Sequence, residues 1–339
     1  MTWDYAGHKG GLGRLLQWLR DSLTELGAEV QVASPHSTRP VLPITKSIGE
    51  HWLFSLLLPF VLQRWIDTNH IQELIIPGGP GGVILFRKPK RCTLTVLIDH
   101  TYAQQSRVVP GQRWKRIFLP LEKRTYTMAD KLLAVSDDTK AAVKKYYHLE
   151  AETIIPIGCD PIMPVEKENL LCVCVGRLMK RKGTDALLKS WEIIQKAVPN
   201  ATLIVVGDGP LRSLVQQHKN IEWHASLPHE DVLAVLGRAQ LALCPFYLEG
   251  FSLVCSESLR TGTPVVGFDA DGIRCMVDPE ISGILTPLGD VHSFARAAIH
   301  LLQEPAECKD MSTKAQRQMQ ARYNSDKAKQ TLRTIFRFS

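Results

Sequence analysis

Two glutamates, Glu249 and Glu257, bracket a short and mostly apolar stretch, LEGFSLVCSESLRTGTPVV (248–266). Carboxylates accept hydrogen bonds from hydroxyls, so such a pair can grip a polyhydroxylated ligand at two points. Were the whole span helical, eight residues would turn about 800° and rise about 12 Å, leaving both acids on one side of a helix. Gly250 argues for a later start. It places Glu249 in an entry loop and the helix N-terminus at Ser252, a residue type that caps helices well. Read in isolation, the stretch is a capped surface helix with one solvated glutamate.

A second group of residues suits anions. VGRLMKRKG (175–183) ends an apolar run at Gly176 and Arg177, then sets Lys182 before Gly183 and a helix opening at Thr184. Free N–H groups at a helix start and two nearby cations together make a phosphate site. A plain basic turn is the simpler account of the same letters. GDGP (207–210), with Gly209, is a further glycine-rich strand end. GHKGGLGR (7–14) precedes a leucine-rich helix in the same way, and Gly10 and Gly11 let backbone approach a phosphate or sugar closely. None of these is a GxxxxGK[ST] loop, so ATP or GTP hydrolysis is not indicated. Asp269-Ala-Asp271 mimics a metal-binding DxD, yet it follows PVVGF and reads as a loop. His100 stands alone, and a lone histidine is more often structural.

These residues need a frame. Short β-branched runs alternate with amphipathic stretches, the pattern of parallel sheets wrapped by helices. Strands are expected at 29–33, 73–77, 93–98, 132–136 and 153–157, and a helix at 12–26 that stops at Gly27. After GCDPIMPVEKEN (158–169), which reads as a linker, the alternation restarts with strands at 170–176, 202–207, 221–225, 241–246, 264–268 and 283–287. The expectation is α/β: two Rossmann-like doubly wound domains, 1–158 and 170–310, facing a cleft at the C-terminal ends of their strands. Residues 311–339 read as helices that cross back to the first domain.

The bulk numbers fit that frame. A chain of 339 residues suits two domains, and 45% apolar with 22% charged residues is ordinary for a globular protein. The apolar run Trp52–Leu62, interrupted by Pro59, is too short to span a bilayer, and no N-terminal signal pattern is seen. Eight cysteines without a CxxC suggest a reducing compartment. The net charge of +7 is uneven: segment 87–124 holds ten Lys/Arg against Asp99 and Glu122. A solvated face is the default, but interleaved Tyr102, Trp114 and Phe118 raise an anionic membrane or a polyphosphate acceptor as a partner. No nucleic-acid signature accompanies the charge.

The order of motifs resembles the retaining GT-B glycosyltransferases of family 4 over nearly the whole length. TWDYAGHKGGLG is similar to the family's WEYPP…GGxG stretch, IDHTY (98–102) to its first-domain histidine motif and VSDDTK (135–140) to its "VSE" helix start. IPIGCDP (155–161) resembles the hinge sequence PNGVD, VGRLMKRKG the VGRL…KG turn, and LEGFSLVCSE with RTGTPVV the EGFG…E…GxPVV block. The resemblance implies roles. Glu249 would contact the donor sugar and Glu257 the nucleotide ribose, while Arg177 and Lys182 would neutralise the departing diphosphate without a metal or other cofactor. Gly10, Gly11, Gly176, Gly209, Gly250, Phe251, Ser252 and Leu253 would line the donor. His100 would stand near the sugar's reactive face.

Three departures accompany the match. The hinge asparagine is Ile157, the GGxxE glutamate is replaced by Cys275, and a full strand that the family places before the WEYPP-like stretch has no counterpart ahead of Met1-Thr2-Trp3. The first strand of the first domain is therefore expected to be missing or short, through either a native start upstream of Met1 or a shortened gene product. The expected function is a retaining transferase that moves a sugar from a UDP- or GDP-sugar to a saccharide, lipid or small-molecule acceptor. A non-hydrolysing sugar-nucleotide epimerase and a catalytically silent sugar-nucleotide binder are the alternatives. The expected location is the cytoplasm, with the inner face of the membrane as the candidate surface for 87–124. Donor base, sugar, acceptor and oligomeric state are not legible in the sequence.

Overall fold

Parallel strands buried on both faces read as near-continuous apolar runs, and LLCVCV (170–175) is such a run, with TLTVLI (93–98) close to one. The computed structural model describes residues 11–33, 50–154, 162, 165–218 and 220–337. The chain divides into two units, Met1–Ile157 with Ala328–Ser339, and Gly158–Lys327.

The first unit runs α1 (Gly11–Glu25), α2 (Glu50–Thr68), β1 (Glu73–Gly78), β2 (Thr93–Ile98), α3 (Tyr102–Val108), α4 (Leu119–Met128), β3 (Lys131–Ala134), α5 (Asp137–Tyr147) and β4 (Glu152–Thr153). Its sheet has the order β1-β2-β3-β4, parallel throughout, with Leu74 opposite Leu94 and Val96 opposite Leu132. Leu58, Leu62 and Ile66 of α2 pack against Ile76, Leu94 and Val96. Ser136 caps α5 by accepting from the Thr139 N–H, and His148 ends it in the left-handed region (φ 59°).

One expected strand is not formed. Residues 29–33 carry no ladder, and among the described residues nothing pairs with the outer edge of β1. A cavity of about 940 Å³ lies there, lined by α1, residues 27–32 and the β1 edge. Alternation in EVQVA governs which side chains turn inward; a ladder also needs the backbones within hydrogen-bond reach, and here the cavity lies between residues 29–32 and the β1 edge. Of the strand expected at 153–157, Glu152–Thr153 are paired and residues 155–157 lie outside the described ones.

The second unit runs β5 (Glu168–Val175), α6 (Thr184–Ala197), β6 (Thr202–Val206), α7 (Arg212–Gln216), β7 (Ile221–His224), α8 (His229–Arg238), β8 (Ala239–Cys244), α9 (Leu253–Arg260), β9 (Val265–Phe268), β10 (Gly283–Thr286), α10 (Val291–Gln303) and α11 (Pro305–Tyr323). The parallel strand order is β10-β9-β8-β5-β6-β7. The chain winds outward from β5 through β6 and β7, then returns to β8 on the other side of β5. That reversal makes β5 and β8 a topological switch point, where the loops leaving their C-terminal ends open a crevice. Trp191, Phe246, Phe268 and Phe294 fill the layers around it. The last helix, α12 (Ser325–Phe336), passes into the first unit, where Lys329 pairs with Glu25 at 2.6 Å and Lys131 donates to the Ile335 carbonyl at 3.3 Å.

Candidate functional site

The switch point gathers the expected anion-binding residues. After β5 the chain makes a turn, Lys180–Lys182, and then enters α6 through Gly183. After β8 it passes Pro245 and Phe246 to Glu249. Gly183 has φ 61°, and a Cβ there would fall 1.8 Å from the Pro245 carbonyl oxygen. Only glycine lets the two loops close on each other. The Tyr247 N–H donates to the Arg181 carbonyl at 2.9 Å, and the Glu249 N–H to that of Asp271 at 3.0 Å, so Glu249 is held by backbone on both sides.

Two cations then converge on one carboxylate oxygen. Glu249 Oε1 lies 2.7 Å from Lys182 Nζ and 3.0 Å from Arg181 Nη1. All three side chains are largely buried, at 10% exposure for Glu249, 13% for Lys182 and 16% for Arg181. The same Nη1 of Arg181 donates to the Leu248 carbonyl at 2.6 Å, and the Lys182 ammonium lies 4.3 Å from the centre of the Phe246 ring. Two positive charges against one negative leave a cation in excess at a strand end, which suits a dianionic ligand. The aliphatic end of Lys182 stands over Gly176.

Glu257 lies on α9 with its side chain 6% exposed, and Oε1 is 3.9 Å from His229 Nε2 at the start of α8. Ser252 caps α9, its hydroxyl accepting from the Cys255 N–H at 3.3 Å. Glu249 thus sits in the entry loop and Glu257 inside the helix, as Gly250 foretold. In the first unit, His100 follows β2 and is 5% exposed. Its Nδ1 is 2.7 Å from Asp99 Oδ2, while Nε2 is buried with no hydrogen-bond partner among the described residues. The carboxylate thus engages one ring nitrogen and leaves the other as the unpaired polar atom of the ring.

The profile of the group 1 glycosyl transferases matches residues 161–318, and that of glycosyltransferase family 4 matches residues 9–161. The chain belongs to the group 1 glycosyltransferases. An uncharacterized glycosyltransferase of Haemophilus influenzae is 26% identical over 330 residues, 91% of each chain. A sucrose-phosphate synthase from Thermosynechococcus elongatus superposes with a TM-score of 0.82 at 19% identity, covering 99% of this chain and 95% of that one. An Anabaena protein, Alr3699/HepE, solved with UDP and glucose, gives a TM-score of 0.70 at 17% identity, covering 99% and 98%. These likenesses establish the GT-B fold.

Within this glycosyltransferase the structure sorts the expected residues. Gly176, Lys182 and Glu249 come together, and Gly250, Leu253 and Glu257 follow on the same loop and helix. Arg177 is exposed in the turn and has no ion-pair partner among the described residues. Phe251 is buried against Tyr323, ring centres 5.6 Å apart, and the Ser252 hydroxyl is used by the cap. Gly209 belongs to a loop stitched to the β5 turn, where the Leu178 N–H donates to the Asp208 carbonyl at 3.0 Å. Gly11 opens α1; Gly10 and Ile157 lie outside the described residues. Asp269 and Asp271 both reach Arg274, at 2.6 and 3.4 Å. The Cys275 thiol donates to the Gly272 carbonyl and its own carbonyl accepts from Tyr323 Oη.

Two residues escaped the sequence reading. Arg181 was passed over because the motif names only the lysine beside it, and its partner lies 68 positions away. Glu122 enters the sequence reading only as one of two acids in a basic segment; it is 2% exposed and at the centre of a hydrogen-bonded cluster.

Proposed function

We propose that this glycosyltransferase is a retaining enzyme that takes its sugar from a UDP- or GDP-sugar and needs no metal. The observation that carries the reading is the Lys182–Glu249–Arg181 triad at the switch point. A diphosphate arriving over Gly176 can draw Lys182 from Glu249, because Arg181 remains to neutralise the carboxylate. Glu249 is then free at its second oxygen to orient sugar hydroxyls, Glu257 takes the ribose, and Arg177, exposed in the turn, adds charge toward the phosphates. The C1–phosphate bond breaks as the acceptor oxygen approaches on the same face. The acceptor's proton passes to the leaving phosphate oxygen, and the fixed cations stabilise the charge that develops there. In this reading His100 Nε2 accepts from a hydroxyl of the donor sugar. The UDP and glucose in the Anabaena relative support a uridine nucleotide by analogy of fold.

We further propose that the N-terminal unit takes the acceptor and rests on an anionic membrane face in the cytoplasm. Part of the basic segment has structural work: Arg124 bonds the Phe86 carbonyl and Lys88 pairs with Asp130. The turn Arg113–Phe118 instead presents exposed Arg113 and Arg116 beside Trp114 (58% exposed) and Ile117 (67%), a pairing of cations and large apolar groups that suits a headgroup layer.

The test is nucleotide release from a panel of UDP-, GDP- and ADP-sugars by wild type and Lys182→Ala. Loss of a charged hydrogen bond to the diphosphate is worth about 1.5–3 kcal/mol, about ten- to a hundred-fold in rate. Release from one donor that falls by that factor supports the reading. Conversion of a UDP-sugar to its epimer without an acceptor, or release that Lys182→Ala leaves unchanged, overturns it.

A further inference from the structure

Glu122 is a buried carboxylate without a cation partner among the described residues. On α4, its Oε1 accepts from the Tyr102 N–H at 3.0 Å and Tyr126 Oη at 2.9 Å. Its Oε2 accepts from the same N–H at 3.1 Å and from Tyr147 Oη in a short hydrogen bond. Three elements therefore meet on one acid: α3 through backbone, and α4 and α5 through tyrosine hydroxyls. No Lys, Arg or His among the described residues pairs with it, and the titratable groups that face it are Tyr102, Tyr126 and Tyr147. A buried ionisable group with no counter-ion is costly and calls for a reason.

The reason lies two residues before Tyr102. Tyr102 is the first residue of α3, Thr101 caps that helix, and His100 is the residue before the cap. The His100 peptide is pinned from the other side as well. Gly79 (φ 81°) approaches so closely that a Cβ there would stand 2.0 Å from the His100 carbonyl oxygen and 3.8 Å from Glu122 Oε1. Thr139 Oγ1 donates to the Asp99 carbonyl at 2.9 Å. Glu122 thus completes a backbone clamp around the histidine whose Nε2 is buried and unpartnered.

We infer that Glu122 is a positioning residue: by holding the Tyr102 N–H it sets where the His100 imidazole stands, and the ionised carboxylate holds it best. An ionised carboxylate accepts from all three donors. Once protonated, it must give one oxygen's hydrogen to a tyrosine that had been donating, and the hold on α3 loosens. Burial pushes the Glu122 carboxyl up to about 7, against the pull of its hydrogen bonds from Tyr147, Tyr102 and Tyr126. The tyrosines are pushed above their ordinary value, Tyr102 to about 12, chiefly by burial and next by Glu122, so they stay neutral donors. The exchange between the two states accordingly falls in the neutral range.

The inference rests on the transferase reading only for its kinetic arm, so the experiment has two arms. In the protein alone, the Tyr102 amide and the His100 Nε2 are followed by NMR from pH 5.5 to 8.5. Both are expected to move with one shared midpoint near 7, and Glu122→Gln abolishes that midpoint for both. Tyr147→Phe removes a hydrogen bond that favours ionisation and is expected to raise the shared midpoint, which keeps the test open if Glu122→Gln fails to fold. In turnover, Glu122→Gln is expected to lower kcat roughly tenfold and to remove its rise through pH 7, with donor KM and UDP affinity within about twofold of wild type. A His100 signal that ignores Glu122 in both variants overturns the positioning role. A His100 signal that follows Glu122 while kcat does not supports the positioning and instead removes His100 from the proposed chemistry.

Discussion

Replacing Arg181 with glutamine asks which cation keeps Glu249 in place once a diphosphate competes for Lys182. At 3.0 Å and an effective dielectric of 20, two unit charges attract by about 5 kcal/mol, and desolvation returns most of that. A hydrogen bond to a charged group nets about 1.5–3 kcal/mol, so kcat/KM is expected to fall about ten- to a hundred-fold. The loss arises because Lys182, now the carboxylate's remaining cation partner, cannot leave without stranding a buried charge. The assay is a double-mutant cycle with Glu249→Gln, reading nucleotide release on the productive donor. In the Glu249→Gln background, Arg181→Gln should cost less than about twofold, giving a coupling above about 1 kcal/mol. Effects that simply add, with coupling under about 0.3 kcal/mol, would refute the shared hold on Glu249.

Three further outcomes follow from the same geometry. Gly183→Ala, strained at φ 61° and facing the Pro245 carbonyl, is expected to destabilise the C-terminal unit by about 2 kcal/mol or more in urea unfolding; a neutral result contradicts the loop closure. Glu122 holds its proton more tightly folded than unfolded, with its carboxyl raised by burial from 4.5 to about 7. Its stabilising contribution is fully present below about pH 4.5 and is lost as pH rises through 7, about 3 kcal/mol in all. Denaturant unfolding between pH 5.5 and 8.5 should show most of that decline in wild type and none of it in Glu122→Gln; parallel curves argue against it. Trp114→Ala with Ile117→Ser is expected to abolish flotation with anionic liposomes at low salt, and retained flotation would place the contact elsewhere.

The site was legible in proportion to how local its determinants are. Ser252 as a helix cap, Gly27 as a helix end (φ 94°) and the Lys182–Gly183 turn each depend on a few consecutive residues, and each stands where spacing put it. Arg177 and Arg181 differ by one turn of backbone, and nothing in VGRLMKRKG says which of them meets Glu249.

By itself the sequence determined that apolar runs become parallel strands, that glycines close their loops, and that acids and cations of the right type follow the strand ends. Hydrophobic periodicity and backbone sterics act over a few residues, so they survive in a one-dimensional reading. The tertiary structure decided that β8 lies beside β5, bringing Glu249 from 68 positions away onto Arg181. Among the described residues it left 29–33 without a ladder partner. It also drew Tyr102, Tyr126 and Tyr147 around Glu122, turning one acid in a basic segment into a buried carboxylate. Burial and long-range pairing set dielectric and partner alike, and both exist only once the chain has folded.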